Sequence, residues 1–168
     1  MNDKSSSEVP IIFGHEDLAP YQSAYLHGGR QQERWELNAV RICGDSLETS
    51  VNIINPYIST TDEGGFHLSI FCAQEFCTEL ILFWVFKKLG LSGKAQEAWM
   101  RKCSCKITGP IRSHLGINVA MTCKRFRIIN GMAYAHALFT ISDATGGLFI
   151  VELHGGYRTE ISNVRGPA

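Results

Sequence analysis

Apolar residues recur at every second position from Trp35 through Leu37 to Ala39 and then, after one slip, at Val40 and Ile42, which predicts a strand interrupted by a bulge over Trp35 to Cys43. Gly44-Asp45 predicts a turn, and Leu47 to Ile54 the returning strand. Asn55 to Gly65 gathers Pro56, Ser59, Thr60, Thr61, Asp62, Glu63 and two glycines, so it reads as a loop. Phe66 to Leu89 contains neither Pro nor Gly. Its apolar residues cover most of the helical circumference, which predicts one long helix wrapped by protein on most sides. Lys87, Lys88 and Gly90 supply a cationic end and a stop. Leu91 to Met100 then reads as a connection with one helical turn.

Further strands are expected at Arg101 to Ile107, Gly116 to Ile129, Met132 to Ile141 and Leu148 to Leu153. Asn130-Gly131 is a type I′ hairpin signal, and Asp143 to Gly147 a second glycine-rich turn. Upstream, Glu16 to Leu26 predicts a short helix, with Asp17 and Pro20 in its first turn and Gly28-Gly29 ending it. Two strands, one long apolar helix and three or four hairpin-connected strands are the element order of a hotdog fold, in which a curled antiparallel sheet wraps a long central helix, placing the chain in the α+β class. The expected organisation is a disordered tail over residues 1–14, one hotdog domain over 15–156, and a flexible tail over 157–168. Met1 to Val9 is too poor in large apolar groups to offset the entropy of ordering, and the segment after Gly155 reads as loose.

A 45 % hydrophobic share in 168 residues is that of a single soluble globular domain. Sixteen basic residues balance sixteen acidic ones, so nothing in the net charge attracts phosphate backbones, and no nucleic-acid partner is expected. The longest apolar run, Leu80 to Phe86, is seven residues, against the roughly 20 that span a bilayer, so no membrane partner is expected. The N-terminus lacks the apolar core of a secretory signal, which points to the cytoplasm and to six cysteines kept as thiols. The paired CxxC spacing of a zinc site is absent.

Leu18-Ala19-Pro20-Tyr21-Gln22-Ser23, then Pro56-Tyr57-Ile58, then Gly64-Gly65-Phe66-His67, with Gly146-Gly147 near the end, follow one another in an order that resembles the FcoT-like fatty-acyl-CoA thioesterases, a hotdog family, over most of the chain. The resemblance implies hydrolysis of a fatty or polyketide-like acyl thioester, presented on CoA or on an acyl carrier protein, with no cofactor and no metal. Tyr21 and Tyr57 match family tyrosines and offer phenolic donors to a carbonyl or a water. The family's Gly-His-Phe-Asn stands here as Gly64-Gly65-Phe66-His67. Aligned without a gap, His67 replaces the asparagine that polarises the thioester, with Gly65 and Phe66 beside the substrate. A shifted alignment instead puts Gly64 at the asparagine and Gln74 at a family glutamine. Both alignments remain open at this point.

As a neutral imidazole near a helix start, His67 has the chemistry either to activate water or to donate to a thioester oxygen; the plainer reading is a structural histidine joining loop to helix. Glu75 and Glu79, four apart on the long helix, share one face. Glu75 is a candidate general base and Glu79 a candidate substrate neighbour; the alternative is a solvated stripe, or pairing with Arg101 or Lys102. Ser69 lacks a Gly-x-Ser-x-Gly elbow and is expected beside the substrate rather than as a nucleophile. Cys72 and Cys77 read as core, as do Phe71, Phe76, Phe83, Trp84 and Phe86, some of which could line an acyl tunnel.

Arg125 and Arg127 fall on one face of a strand and Lys124 on the other. That face suits the phosphates of CoA or the acidic surface of a carrier protein, or is simply a solvated strand edge. An uncovered sheet edge predicts a homodimer or higher homo-oligomer. A hydroxyacyl dehydratase and a non-catalytic acyl-thioester-binding protein are the competing functions.

Overall fold

In the computed structural model the described residues are 33–58, 64–94 and 96–159. The expected helix at Glu16 to Leu26, Tyr21 with its surrounding motif, and the chain ends before 33 and after 159 lie outside them. Seven strands and one helix follow in the order β1 (Trp35–Leu37), β2 (Arg41–Cys43), β3 (Ser46–Ile53), α1 (Ile70–Leu89), β4 (Ala98–Gly109), β5 (Ile117–Ile129), β6 (Met132–Ser142) and β7 (Leu148–Arg158). They form one antiparallel sheet ordered β1-β3-β5-β6-β7-β4, with β2 also pairing β3.

The structure departs from the expected hotdog arrangement. The described chain is predominantly a curled antiparallel sheet, and no long central helix runs through it. α1 packs over β4, β6 and β7 and buries Cys72, Ala73, Phe76, Cys77, Leu80, Ile81, Trp84 and Val85. On its other flank Phe71 is 41 % and Phe83 37 % exposed. Apolar residues all around a helix therefore did not mean protein all around it. Phe71 and Phe83 belong to a face that the described sheet does not cover, and a circumferential pattern cannot distinguish covered from uncovered apolar positions.

α1 also begins four residues later than its pattern suggests. Ser69, in extended conformation, caps it by accepting from the Cys72 N–H at 3.1 Å, while Phe66 to Leu68 stay outside the helix. Gly90 closes the other end, donating to the Lys87 carbonyl, as the lysine–glycine ending predicts. The single slip in Trp35 to Cys43 separates two short strands, β1 and β2, laid successively on β3. β7 runs on to Arg158, with Tyr157 buried against Phe86 at a ring-centroid distance of 4.9 Å, so the segment after Gly155 is part of the sheet rather than loose. Between 91 and 97 the described residues hold no helical turn.

Alternation decides what lies beneath the helix. On β6, Ala133, Ala135, Ala137, Phe139 and Ile141 face the core, and on β7 Phe149, Val151 and Leu153 do. Three alanines in succession leave room for large helical side chains such as Phe76 and Trp84, both essentially inaccessible to solvent. The Trp84 indole meets Phe126 edge-on and donates to the Gly44 carbonyl at 3.2 Å, tying α1 to the β2–β3 turn.

The two turns carry distinct solutions. Asn130 and Gly131 have φ of 49° and 71°, the left-handed pair that a type I′ hairpin between β5 and β6 requires. At the β6–β7 turn the carboxylate of Asp143 accepts from the backbone N–H groups of Arg112, Ser113, Thr145 and Gly147 and from the Thr145 hydroxyl. Burial alone would raise its pKa, but these donors, led by Ser113, bring it down from 3.8 to about 2. Gly147 lies against the backbone of the loop before β5, where a Cβ would come within 2.4 Å of the Pro110 carbonyl oxygen. No helix among the described residues is long and apolar enough to cross a membrane.

Candidate functional site

The residues singled out in the sequence fall into three places. The first is the approach to α1. Leu68 donates to the Ile111 carbonyl at 2.9 Å, Phe66 is buried with its ring edge-on to His114, and the Arg112 guanidinium reaches the Gly65 carbonyl at 3.5 Å. These contacts fix the segment that carries His67, which is half-buried, as is Tyr57. The Ser69 hydroxyl is committed twice, to the helix cap and to the buried Glu33 carboxylate at 3.1 Å, which leaves it a structural part. Within the first turns of α1, Gln74 reaches the Met100 sulfur on β4 at 3.5 Å. Glu75 is half-buried, whereas Glu79, one turn on, is exposed.

The second place is an apolar cleft between α1 and strands β4, β6 and β7, with a cavity volume of about 60 Å³. Ile81, Leu82, Val85, Met100, Leu153 and Tyr157 are among its walls, and Thr78 stands at its side one turn beyond Gln74. That is well below the ~300–1,000 Å³ of small-molecule sites, so the cleft is a narrow slot rather than a preformed pocket. Cys77 sits nearby in the core; its burial, with the neighbouring Cys103, Cys105 and Cys72, pushes its thiol well above the ordinary range, so it is not a nucleophile at neutral pH.

The third place is the opposite face of the sheet. A bulge between Cys123 and Arg125 resets β5 so that Arg125 lies opposite His136 and Arg127 opposite Tyr134. The two arginines share a face, as the strand period predicts, and Phe126 between them turns to the core. Arg101, the extra residue of a second bulge on β4, places its guanidinium 5.4 Å from the centre of the Tyr134 ring. Arg101, Arg125, Arg127, Tyr134, His136 and His154 thus line one groove. At its base His136 and His154, directly paired across β6 and β7, stack with centroids 3.9 Å apart. The Glu152 carboxylate is 2.7 Å from His136 Nε2 and takes a 3.3 Å hydrogen bond from Ser104. The His136 hydrogen bond is the leading cause that holds Glu152 below the usual carboxylate range.

No known protein family matches this chain, and no curated protein does. The thioesterase resemblance therefore rests on the motifs quoted above.

His136, Glu152 and His154 were not singled out by sequence. The signal was present: the β6–β7 turn is symmetric about Thr145, and His136 and His154 are equidistant from it, so the two strands and their turn already place the histidines opposite each other. Glu152 precedes His154 by two residues and so falls on the same face.

Proposed function

We propose that this protein hydrolyses a fatty or polyketide-like acyl thioester, carried on CoA or an acyl carrier protein, in the cytoplasm. The observation that carries this reading is the apolar-walled cleft beside α1, flanked by the helix that bears Gln74 and Glu75. The groove of Arg101, Arg125 and Arg127 supports it as a place for phosphates or for an acidic carrier surface. Six cysteines that are all thiols suit a reducing compartment.

In this reading the acyl chain lies along the cleft, and Tyr57 and His67 hold the thioester oxygen. Water attacks the carbonyl carbon as Glu75 takes its proton; the carbon–sulfur bond then breaks and the thiolate leaves with that proton as free thiol. β4, which among the described residues pairs only with β7, offers a twelve-residue edge through which two copies would join into a homodimer.

The test is thiol release from a panel of acyl-CoA and acyl-carrier substrates of graded chain length. Release from at least one, cut roughly 10²-fold by His67→Ala, is expected. No release above background from any of them overturns the proposal. An α,β-unsaturated product would instead identify a dehydratase, and tight retention of intact thioester a binding protein.

A further inference from the structure

We propose that His136, Glu152 and His154 form a binding site for one divalent first-row transition-metal ion. The three ligand atoms lie within 4.8 Å of one another. His136 Nε2 is 2.7 Å and His154 Nε2 3.6 Å from the same Glu152 oxygen. Ligand atoms around a tetrahedral zinc ion stand about 3.4 Å apart when each bond is about 2.1 Å, so small side-chain rotations bring all three to bonding distance.

The backbone fixes the three positions on one face and leaves the side chains to adjust. His136 and His154 are a direct cross-strand pair, and Glu152 shares their face two residues along β7. Their rings stack at 18°, so each must tilt about its χ2 bond to aim its in-plane lone pair at a shared ion. Two imidazoles and one carboxylate are a recurrent ligand set for zinc and for non-haem iron, with further coordination positions left open. Ser104 holds the second Glu152 oxygen, the kind of outer contact that orients a metal-binding carboxylate.

A second observation is independent of the ligand count. His154 Nε2 is shut off from solvent, and among the described residues its nearest polar contact is the Glu152 carboxylate at 3.6 Å, just beyond hydrogen-bonding range. A buried nitrogen of this kind asks for an explanation, and a bound cation is one that uses its lone pair.

The charges facing the site decide what completes it. Arg101, Arg125 and Arg127 line the same groove, and Lys102 lies opposite His154 on β4. These cations weaken attraction for a bare dication but draw an anion to its open positions, so the site would hold the metal together with a carboxylate or phosphate group. The ligand imidazoles must be neutral to coordinate, and acid should release the ion.

Cobalt(II) titration of the chelator-treated full chain tests this, because its visible d–d bands report coordination and a sulfur-to-cobalt band would betray binding by cysteines. Expected are one equivalent bound with a Kd of about 10 µM or below near pH 7, displacement by zinc, and at least tenfold weaker binding at about pH 5.5. Glu152→Gln and His154→Ala should each weaken binding at least tenfold, and zinc should raise the Tm of the parent chain but not of the variants. Circular dichroism checks folding, and Glu152→Gln, nearly isosteric on a half-exposed face, keeps the test valid should His154→Ala fail to fold. No saturable binding below about 100 µM, a sulfur band, or equal affinity in parent and Glu152→Gln overturns the proposal. A Tm raised by mild acid and unmoved by zinc would also overturn it, assigning the cluster to an imidazolium–carboxylate pair.

Discussion

The two faces of the β5–β6–β7 meander are made from alternate residues of the same strands, yet they answer to different physics. The helix-covered face carries Met121, Ala135, Ala137, Phe139, Val151 and Leu153, all buried, and its requirement is volume. The far face carries Arg125, Arg127, Tyr134, His136, Glu152 and His154, half-buried or exposed, and its requirement is charge and hydrogen bonding. Stability should therefore be concentrated on one face and chemistry distributed beyond it. A substitution two positions along a strand stays within one regime, whereas a shift of one position changes regime.

That contrast is open to direct attack. The largest effect is expected for Phe76→Ala, which empties a fully buried position of α1 facing the sheet: about 3–5 kcal/mol of lost stability in denaturant unfolding, against about 0.5 kcal/mol or less for Lys102→Ala on the exposed face. Equal losses would break the comparison.

Asp143→Asn should cost about 2–3 kcal/mol, because charge-assisted bonds from four backbone N–H groups converge on that carboxylate. Its folded-state pKa of about 2 lies below the ordinary 3.8, so its contribution is complete above 3.8 and is lost as pH falls through 2. The stability gap between parent and variant should close across that window. A gap that stays constant from neutral pH to pH 2 contradicts the assignment.

On the catalytic side, His67→Ala should lower kcat by roughly 10²-fold, or about 2.7 kcal/mol of barrier, with the fold intact by circular dichroism. His67→Asn should recover part of it if the role is donation. A large loss in Glu75→Gln with little in His67→Ala would favour the shifted alignment of the loop-to-helix motif.

The smallest effect is expected for Arg125→Ala with Arg127→Ala: a rise in KM for an acyl-CoA of about fivefold at low salt, shrinking as ionic strength screens the groove. An unchanged KM would leave the groove without a part in substrate binding.

Much of the strand pattern was legible because it is local. Strand-type runs bounded by turn signals marked β3 to β7, and Asn130-Gly131 named its own turn, since few other residues tolerate two successive positive φ values. The placement of Arg125 and Arg127 on one face followed from the two-residue strand period. Ser69 was less legible: a serine ahead of an apolar run is a cap signal, but a helix start drawn at Phe66 hid it. The fold class failed at the helix. Phe71 and Phe83 contribute to an apolar circumference as fully as Phe76 and Trp84 do, and only the position of the sheet separates the exposed pair from the buried pair.

The sequence by itself determined which residues share a face, where hairpins turn, and that no large net charge or long apolar span is present, because period, turn chemistry and composition are properties of neighbouring residues. Tertiary structure decided which face the helix covers, that β4 returns to pair β7, and that Arg101 from one strand, Arg125 from another, and His136 and His154 from two more converge on one groove. Those outcomes depend on pairings across long separations in the chain, whose free energy comes from burying one sheet face under one helix, and no local pattern encodes which distant segments will share that burial.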